Sequence, residues 1–335
     1  MSKRQSPPSA HDVARLAGVS QAAVSRAFTP GASIATTTRE KIFEAAKALG
    51  YRPNLLARSL IKGRSGIIGL VMGNPSYPFF QTALNALSQR LADAGKHILI
   101  YTAEENATVD THVEDLLKYR VDALLLMAAS VSPKMADQCA AEGVPVVSFG
   151  RSADRLTGIH DVVGDNVAGG AKIAEHLLQQ GYRRLALMAG STETSTGRER
   201  QAGFLEYLAA QGMAPAEHAV GDFRRQQAFE AARNLLSRTP RPDAIFCAND
   251  DMALATIEVA RYEFGLEVGR DLGIAGFDDI EQAAWLTFDL TTYSLPVDLM
   301  VEKTAGMLLA DFGTQLPACT VIEGALQVRG STRRV

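Results

Sequence analysis

The sequence predicts an α/β protein in which a small helical head precedes two doubly wound parallel sheets. Strand-length apolar runs alternate with helical patterns from residue 66 onward, and they do so in two consecutive series. Residues 1–64, in contrast, contain short helical patterns. At 335 residues, with 47% hydrophobic and 21% charged residues, the chain is long enough for two or three domains with ordinary globular cores.

The charge is distributed unevenly along the chain. Residues 1–66 carry eleven Lys or Arg against three Asp or Glu, a net charge of +8, whereas the whole chain has a net charge of −3. The remaining residues therefore carry 23 basic against 34 acidic side chains, a net charge of −11. A cationic head on an anionic body indicates that the head alone binds a polyanion.

The three cysteines, Cys139, Cys247 and Cys319, are far apart and form no CxxC or Cys/His cluster. Free thiols of this kind fit a reducing cytoplasm. The first residues lack the apolar core of a signal peptide, and no apolar run approaches the length of a membrane span. The sequence therefore predicts a cytoplasmic protein without a membrane segment.

Two short helices are predicted at the start of the head. Ser9 and Asp12 have capping-box spacing for a helix that Gly18 ends, and Ser20 can cap a second helix from Gln21 to Phe28. A helix, a glycine-containing turn and a second helix form the helix-turn-helix pattern. The apolar residues expected to close the small core are Val13, Leu16, Ala17, Val19, Val24, Ala27 and Phe28.

The predicted second helix leaves Gln21, Ala22, Ser25 and Arg26 on its outer face. Glutamine and arginine hydrogen-bond base edges in a major groove, whereas alanine offers only a methyl contact, for instance to thymine. We therefore assign base readout to Gln21, Ala22 and Arg26. The residues assigned to phosphate contacts are Ser20, Ser25, Arg52 and Arg58.

A third helix and a short fourth one are predicted before the body begins. Thr37 and Glu40 form a capping box for the third helix, which Gly50 ends. Pro53 cannot continue a helix from upstream, and Asn54 can cap roughly two further turns. A helix that short is marginal alone, so the segment is either an ordered linker or a helix that depends on a partner.

The body has two series of alternating elements. In the first, strands are predicted at 67–72, 98–101, 123–127 and 144–149, and helices at 79–94, 109–120 and 133–142. Residues 162–164 then lead to a helix predicted at 167–180. In the second series, strands are predicted at 185–188, 244–248 and 272–277, and helices at 200–210, 226–236 and 252–264. Apolar strands of this kind are buried on both faces, and two sets of them imply two lobes. Ligands bind at the carboxyl ends of such strands, so the space between the lobes is the expected cleft.

Ordered motifs along nearly the whole chain resemble those of the LacI/GalR family of bacterial transcription regulators and, in the body, periplasmic sugar-binding proteins. The head motifs are DVARLAGVS at 12–20, VSR at 24–26 and LGYRPN at 49–54. The body motifs include NP at 74–75, PFF at 78–80, GDN at 164–166, RQAGF at 200–204, AND at 248–250, GFDD at 276–279 and LTT at 290–292. A dense, ordered match of this length is far more specific than a single motif.

The resemblance implies a DNA-binding head, a hinge, and a two-lobed, periplasmic-binding-protein-like body that binds an effector and dimerises. Three crossings between the lobes make each lobe discontinuous. The implied ranges are 1–52 for the head, 53–65 for the hinge helix and linker, and 66–335 for the body, with 66–163 and 294–323 in one lobe and 164–293 and 324–335 in the other.

In the family, the segment that matches Asn54–Leu60 pairs across a dimer and inserts a leucine into the DNA minor groove. By this resemblance the inserted residue is Leu60, with Ala57 beside it. An apolar wedge can unstack a base step at a cost of about a few kcal/mol, which contacts on the bent duplex offset.

The resemblance also implies the effector contacts. The matching residues are Phe79, Arg151, Arg200, Asn249 and Asp278. An aromatic face with amide, carboxylate and guanidinium groups suits a sugar, and two inward arginines would favour a sugar acid. Three alternatives stay open: Phe79 in the core, Arg200 paired with an acid such as Asp278, and Asp165 and Asn166 acting only as helix caps.

The competing hypothesis is a sugar- or sugar-acid-processing α/β enzyme with an accessory nucleic-acid-binding head. The run at 164–170 has P-loop glycine spacing, but Gly170 and Ala171 replace the required Lys and Ser/Thr, and GxSxG, HExxH and GxGxxG are absent. The adjacent aspartates at 250–251 and 278–279 lack the histidine spacing of a metal site. We therefore predict a homodimeric regulator, without cofactor, metal or enzymatic activity. It is expected to repress transcription at a near-palindromic double-stranded DNA operator under effector control.

Overall fold

The structure is a computed structural model that describes residues 8–29, 31–52, 64–103, 108–154, 156–213, 217–311 and 313–332. The chain divides into two compact units, Met1–Ser65 and Gly66–Val335, which we call the head and the body.

The head contains three helices, α1 (Ala10–Ala17), α2 (Gln21–Ala27) and α3 (Thr36–Leu49). The predicted capping box is confirmed, since the Ser9 side chain accepts from the Asp12 amide and the Asp12 carboxylate accepts from the Ser9 amide. The predicted stops are confirmed as well, because Gly18 and Gly50 end α1 and α3 in the left-handed region, which favours glycine.

Two predictions for the head are wrong. Leu16 is 56% exposed because it lies about 110° around α1 from the midpoint between the buried Val13 and Ala14. The capping box of Thr37 and Glu40 does not form, since α3 already begins at Thr36 and has no side-chain cap. Tertiary packing holds this helix instead, through a core shared with α1 and α2. The buried residues of that core are Val13, Ala14, Val24, Ala27, Ile42, Ala45 and Ala46.

The first lobe of the body contains a six-stranded parallel sheet with the order β11-β5-β4-β3-β1-β2. Its strands are β1 (Ile67–Gly73), β2 (His97–Ala103), β3 (Ala123–Met127), β4 (Val146–Phe149), β5 (Ile159–Gly164) and β11 (Cys319–Ile322). Its helices are α4 (Pro78–Asp93), α5 (Asp110–Lys118), α6 (Pro133–Ala141) and α11 (Val297–Leu308). The central strands are buried throughout, as parallel strands covered on both faces must be.

The second lobe contains a six-stranded sheet with the order β12-β10-β9-β8-β6-β7, in which β12 runs antiparallel to its neighbour. Its strands are β6 (Leu185–Ala189), β7 (Glu217–Val220), β8 (Ala244–Cys247), β9 (Gly273–Asp278), β10 (Thr291–Ser294) and β12 (Ala325–Gln327). Its helices are α7 (Asn166–Gln179), α8 (Ser195–Ala210), α9 (Arg225–Leu236) and α10 (Asp250–Tyr262). The chain passes between the lobes after β5, after β10 and between β11 and β12.

Several elements of the body differ from the sequence prediction. β7 was not predicted because it is an edge strand of mostly exposed residues without an apolar run. The helix α11 was not predicted either. α8 begins five residues before the predicted start at Arg200, because the side chain of Thr194 caps it. The C-terminal strand β12 is short, and a 3-10 turn follows it at Gly330–Thr332.

Close packing of α7 against α8 positions the polar residues of the second lobe. A Cβ atom on Gly170 would lie 2.4 Å from the Arg200 carbonyl oxygen, and one on Gly203 would lie 2.0 Å from the Val167 carbonyl oxygen. Both distances are impossible contacts, so these glycines allow the two helices to approach. The approach brings Arg200 of α8 beside Asn166 of α7.

Among the residues described, no helix is long and apolar enough to cross a membrane.

Candidate functional site

A narrow cleft lies between the two lobes. Its cavity volume is about 40 Å³, which is smaller than the volume of a typical small-molecule site, so the cleft is nearly closed. All five residues predicted to contact an effector line it. The full lining is Asn74, Tyr77, Phe79, Phe80, Ala128, Gly150, Arg151, Thr196, Arg200, Phe223, Asn249, Asp278 and Leu295.

The first lobe contributes an aromatic wall where β1 leads into α4. Tyr77 precedes the helix in extended backbone, and Pro78 occupies the first helical position, where a missing N–H costs nothing. The ring centroid of Phe79 lies 5.4 Å from that of Phe80 and 6.1 Å from that of Phe149. Phe79 is buried and also lines the cleft. It therefore packs in the core, which was the open alternative, and still borders the cleft.

Arg151 follows β4 at the same edge of the sheet and is buried. Gly150 before it adopts a φ of 78°, which lets the chain turn into the cleft. The Ser148 hydroxyl donates to the Arg151 carbonyl oxygen at 2.6 Å and fixes this turn. Arg151 therefore lies at the cleft, where it was predicted.

The second lobe contributes Asp278 at the carboxyl end of β9. Asp278 has a φ of 106° and Asp279 a φ of 57°, in a region where non-glycine residues are uncommon and strained. Backbone strain of this kind clusters at binding sites. Asp279 points elsewhere and pairs with Arg329 at 2.7 Å, so the two adjacent carboxylates do not form one site.

Arg200 is almost fully engaged by the protein itself. Its Nη2 donates to Asp278 Oδ1 at 2.7 Å, its Nη1 to the Ala248 carbonyl oxygen at 2.6 Å, and its Nε to Asn166 Oδ1 at 3.0 Å. Its guanidinium carbon lies 3.7 Å from the ring centroid of Phe277, which is cation–π geometry. The alternative in which Arg200 pairs with Asp278 is therefore present, and the buried pair itself faces the cleft.

Two polar residues of the second lobe cap helices, and a third supports Arg200. Asn249 caps α10, since its Oδ1 accepts from the Met252 amide at 3.0 Å, and it also lines the cleft. Asp165 caps α7 by accepting from the Ala168 amide at 3.0 Å. Asn166 bridges Arg200 and Glu199. The capping alternative thus holds for Asp165, whereas Asn166 acts as a support for Arg200.

Tyr77 is the main cleft residue that sequence reasoning missed. Its hydroxyl donates to Asp278 Oδ2 at 2.5 Å, across the two lobes and 201 residues apart in sequence. Burial and the nearby carboxylate of Asp278 raise the pKa of Tyr77 well above its usual value, so the phenol stays protonated. The motif at Pro78–Phe80 pointed to this loop but not to the residue before it.

The carboxylates beneath the cleft are shielded from water. Burial raises the pKa of Asp278, while Arg200 and the Tyr77 hydrogen bond act in the opposite direction. Burial and the neighbouring Asp278 raise the pKa of Asp250 well above its usual range. Asp250 accepts hydrogen bonds from the Thr292 hydroxyl at 2.6 Å and from the Ile280 amide at 2.9 Å, so it stabilises the backbone and side chains next to Asp278.

Across the described part of the chain, no group of three or more His, Cys, Asp and Glu side chains is arranged to hold a metal ion. Asp251 pairs with Arg225, away from its neighbour Asp250.

The outer face of α2 in the head presents the residues predicted to contact DNA. Ser20 caps the helix by accepting from the Ala23 amide at 3.2 Å, while the opposite face buries Val24 and Ala27. Exposed residues of the predicted set are Ser20, Gln21, Ala22, Ser25, Arg26 and Arg52. Asn54, Ala57, Arg58 and Leu60, with the predicted hinge helix, lie outside the described residues.

Two family models match the chain. Residues 9–54 match the model described as bacterial regulatory proteins, lacI family. Residues 65–311 match the model described as periplasmic binding proteins and sugar binding domain of LacI family.

Similar proteins and structures cover almost the whole chain. The HTH-type transcriptional regulator CelR of Thermobifida fusca is 32% identical over 98% of this chain and 99% of its own length. The ribose operon repressor of Escherichia coli K12 is 31% identical over 89% of this chain and 91% of its own. A lac repressor dimer bound to operator and the anti-inducer ONPF has a TM-score of 0.87 at 27% identity and covers 98% of this chain and 100% of that one. A complex of the regulator CelR with cellobiose has a TM-score of 0.71 at 30% identity and covers 97% and 99%.

Proposed function

This chain belongs to the LacI family of bacterial regulatory proteins, and we propose that it represses transcription under the control of a neutral sugar bound between its lobes. It is a DNA-binding transcription regulator with a helix-turn-helix head. We propose further that it works as a homodimer in the cytoplasm, reads a near-palindromic operator and catalyses no reaction.

The observation that carries the proposal is the polar cluster of Asp278, Arg200 and Asn249 on the wall of a cleft lined with aromatic rings. Hydroxyl groups need such donors and acceptors, and an aromatic ring covers the apolar side of a sugar. The relative CelR was solved in complex with cellobiose, which is a ligand of this class.

A neutral sugar fits this cluster better than a sugar acid. The charge of Arg200 is balanced by Asp278, and its other donors hold Ala248 and Asn166. The argument that two inward arginines attract an anion therefore rests on Arg151 alone. A carboxylate on the ligand would also approach the carboxylate of Asp278.

The exposed face of α2 suits the reading of a major groove. We assign base contacts to Gln21, Ala22 and Arg26, with the other predicted head residues nearer phosphates. Ser20 already caps α2, so its contribution includes holding the start of the recognition helix in place. The hinge contacts of Asn54, Ala57, Arg58 and Leu60 belong to the same proposal.

The proposed control works by differential binding. A ligand that touches both lobes favours one arrangement of the lobes, and this arrangement sets whether two hinge segments of a dimer can meet on DNA. The ligand changes operator affinity only by its difference in affinity for the two arrangements, about 1–3 kcal/mol or roughly 5–150-fold.

The proposal is tested by gel shift of the purified protein on the upstream region of its own gene. We expect retardation that weakens steeply as salt concentration rises, because phosphate contacts release counterions. Arg26→Ala should weaken specific binding by about 1–3 kcal/mol, whereas Lys118→Ala, an exposed charge of the body, should not. Absence of sequence-dependent retardation with and without sugars would refute the proposed function.

A further inference from the structure

The hydroxyl of Tyr77 bridges the two lobes at the centre of the cleft. Tyr77 belongs to the first lobe, at the start of α4, and Asp278 belongs to the second, at the end of β9. Their side chains meet at 2.5 Å, and the two residues are only 6% and 4% exposed. The contact therefore lies inside the closed cleft rather than at its rim.

We propose that Tyr77 competes with the effector for Asp278. In the ligand-free protein the Tyr77 hydroxyl occupies the Asp278 oxygen that an effector hydroxyl would take, and this contact holds the two lobes together. This inference rests on the proposed function, since it assigns a selecting residue to the same cleft.

The hydrogen bonds around Asp278 leave Tyr77 as the replaceable partner. Oδ1 of Asp278 accepts from Arg200, and that arginine is held at three other points, by Asn166, by the Ala248 carbonyl oxygen and by the ring of Phe277. Within the described residues, the hydroxyl of Tyr77 makes its hydrogen bond to Asp278 alone, through Oδ2. Displacing Tyr77 breaks one hydrogen bond, whereas displacing Arg200 would dismantle the site.

This geometry defines the chemistry that can replace Tyr77. The hydroxyl donates a proton to a carboxylate, so its replacement must also be a donor. A sugar hydroxyl meets that requirement. A carboxylate or phosphate oxygen at the same place would face the Asp278 carboxylate and be repelled, so the exchange selects neutral hydroxyl groups.

Other hydrogen bonds join the lobes where the chain after β4 meets the start of α8. The Ser152 amide of the first lobe donates to the Ser195 hydroxyl of the second at 2.9 Å, and the Thr196 hydroxyl donates to the Gly150 carbonyl oxygen at 3.2 Å. These bonds do not touch Tyr77. They therefore report on opening of the lobes as a whole when Tyr77 is changed.

The experiment compares the full-length wild-type protein with Tyr77→Phe and with Tyr182→Phe as a matched control. Tyr182 is also a buried tyrosine, but its hydroxyl donates to the Gly269 and Thr332 carbonyl oxygens within the second lobe. Amide hydrogen exchange is measured without ligand. Tyr77→Phe should accelerate exchange at 150–154 by roughly tenfold or more, the range expected for losing a hydrogen bond to a charged group, and Tyr182→Phe should not.

A second arm measures the binding of cellobiose, D-ribose and D-gluconate to the same three proteins by calorimetry. We expect Tyr77→Phe to bind a neutral sugar roughly ten- to hundredfold more tightly than the wild type, with no gain for D-gluconate. Weaker sugar binding by Tyr77→Phe, or unchanged exchange at 150–154, would overturn the proposal. If no sugar binds any of the proteins, the proposed choice of effector is what fails, because the exchange arm decides the role of Tyr77 without a ligand.

Discussion

Replacing Arg200 by alanine removes one member of a buried ion pair and leaves the other without its partner. Arg200 is 4% exposed, and its guanidinium group donates three hydrogen bonds, one of them to Asp278. Asp278 keeps its hydrogen bond from Tyr77 but loses its positive neighbour. The Ala248 carbonyl oxygen and Asn166 Oδ1 lose a donor as well.

The expected destabilisation of Arg200→Ala follows from these contacts. Removing one partner of a buried pair costs about 3–5 kcal/mol, because an uncompensated charge stays buried. For a unit of this size, that loss lowers the midpoint of thermal unfolding by roughly 6–20 °C. The loss should be smaller at acidic pH. Without Arg200 the pKa of Asp278 rises further above its unfolded value, so stability falls as pH rises between the two values.

Arg198→Ala is the matched control, since Arg198 lies on the same helix and also pairs with an aspartate, Asp154. Those side chains are 43% and 64% exposed, so the pair contributes about 0–1 kcal/mol. Differential scanning calorimetry of both variants at pH 5 and pH 7.5 measures the difference. If Arg200→Ala unfolds within 2 °C of Arg198→Ala at both pH values, the pair of Arg200 with Asp278 does not stabilise the body.

Further substitutions test the packing, the caps and the pH dependence. Gly203→Ala should lower the free energy of unfolding by about 1–3 kcal/mol, because its methyl group would meet the Val167 carbonyl oxygen. Gly306→Ala, in an open helical position, should raise the free energy of unfolding by about 0.5–1 kcal/mol. Urea denaturation measures both changes. Burial lowers the pKa of His176, so the unfolded chain takes up the proton first and stability falls below about pH 6.5; His176→Gln should flatten that part of a stability–pH curve. Ser20→Ala should destabilise the head by about 1 kcal/mol, measured by thermal unfolding, and retention of full head stability would show that the cap contributes nothing.

The strands of the parallel sheets were predictable because burial on both faces leaves a nearly continuous apolar run. β3 has the predicted bounds, Ala123–Met127, and β6 and β9 differ from their predictions by a residue at one or both ends. β7 escaped because exposure at the sheet edge removes that signal. Leu16 misled because apolar character does not specify which side of a short helix faces the core.

The candidate site was partly predictable for a related reason. Asp278 ends β9 and Asn249 comes shortly after β8, and the carboxyl ends of parallel strands meet at one edge of a sheet. The contact between Tyr77 and Asp278 was beyond reach, because it joins residues 201 positions apart on different lobes. The engagement of Arg200 by Asn166 and Ala248 likewise depends on how α7 and α8 pack, which no local pattern encodes.

The three crossings of the chain between the lobes also determine when each part of the protein is completed during synthesis. The head has a core of its own and is translated by residue 52, whereas each sheet of the body lacks an edge strand until β11 and β12, at residues 319–327, have been made. At about 5–20 residues per second, that interval lasts roughly 15–55 s on the ribosome. During that time a nascent chain carries a DNA-binding surface before it carries a finished ligand sensor. A product that stops before residue 319 would keep the DNA-binding surface without the finished ligand sensor, so a ligand would not control its action on DNA.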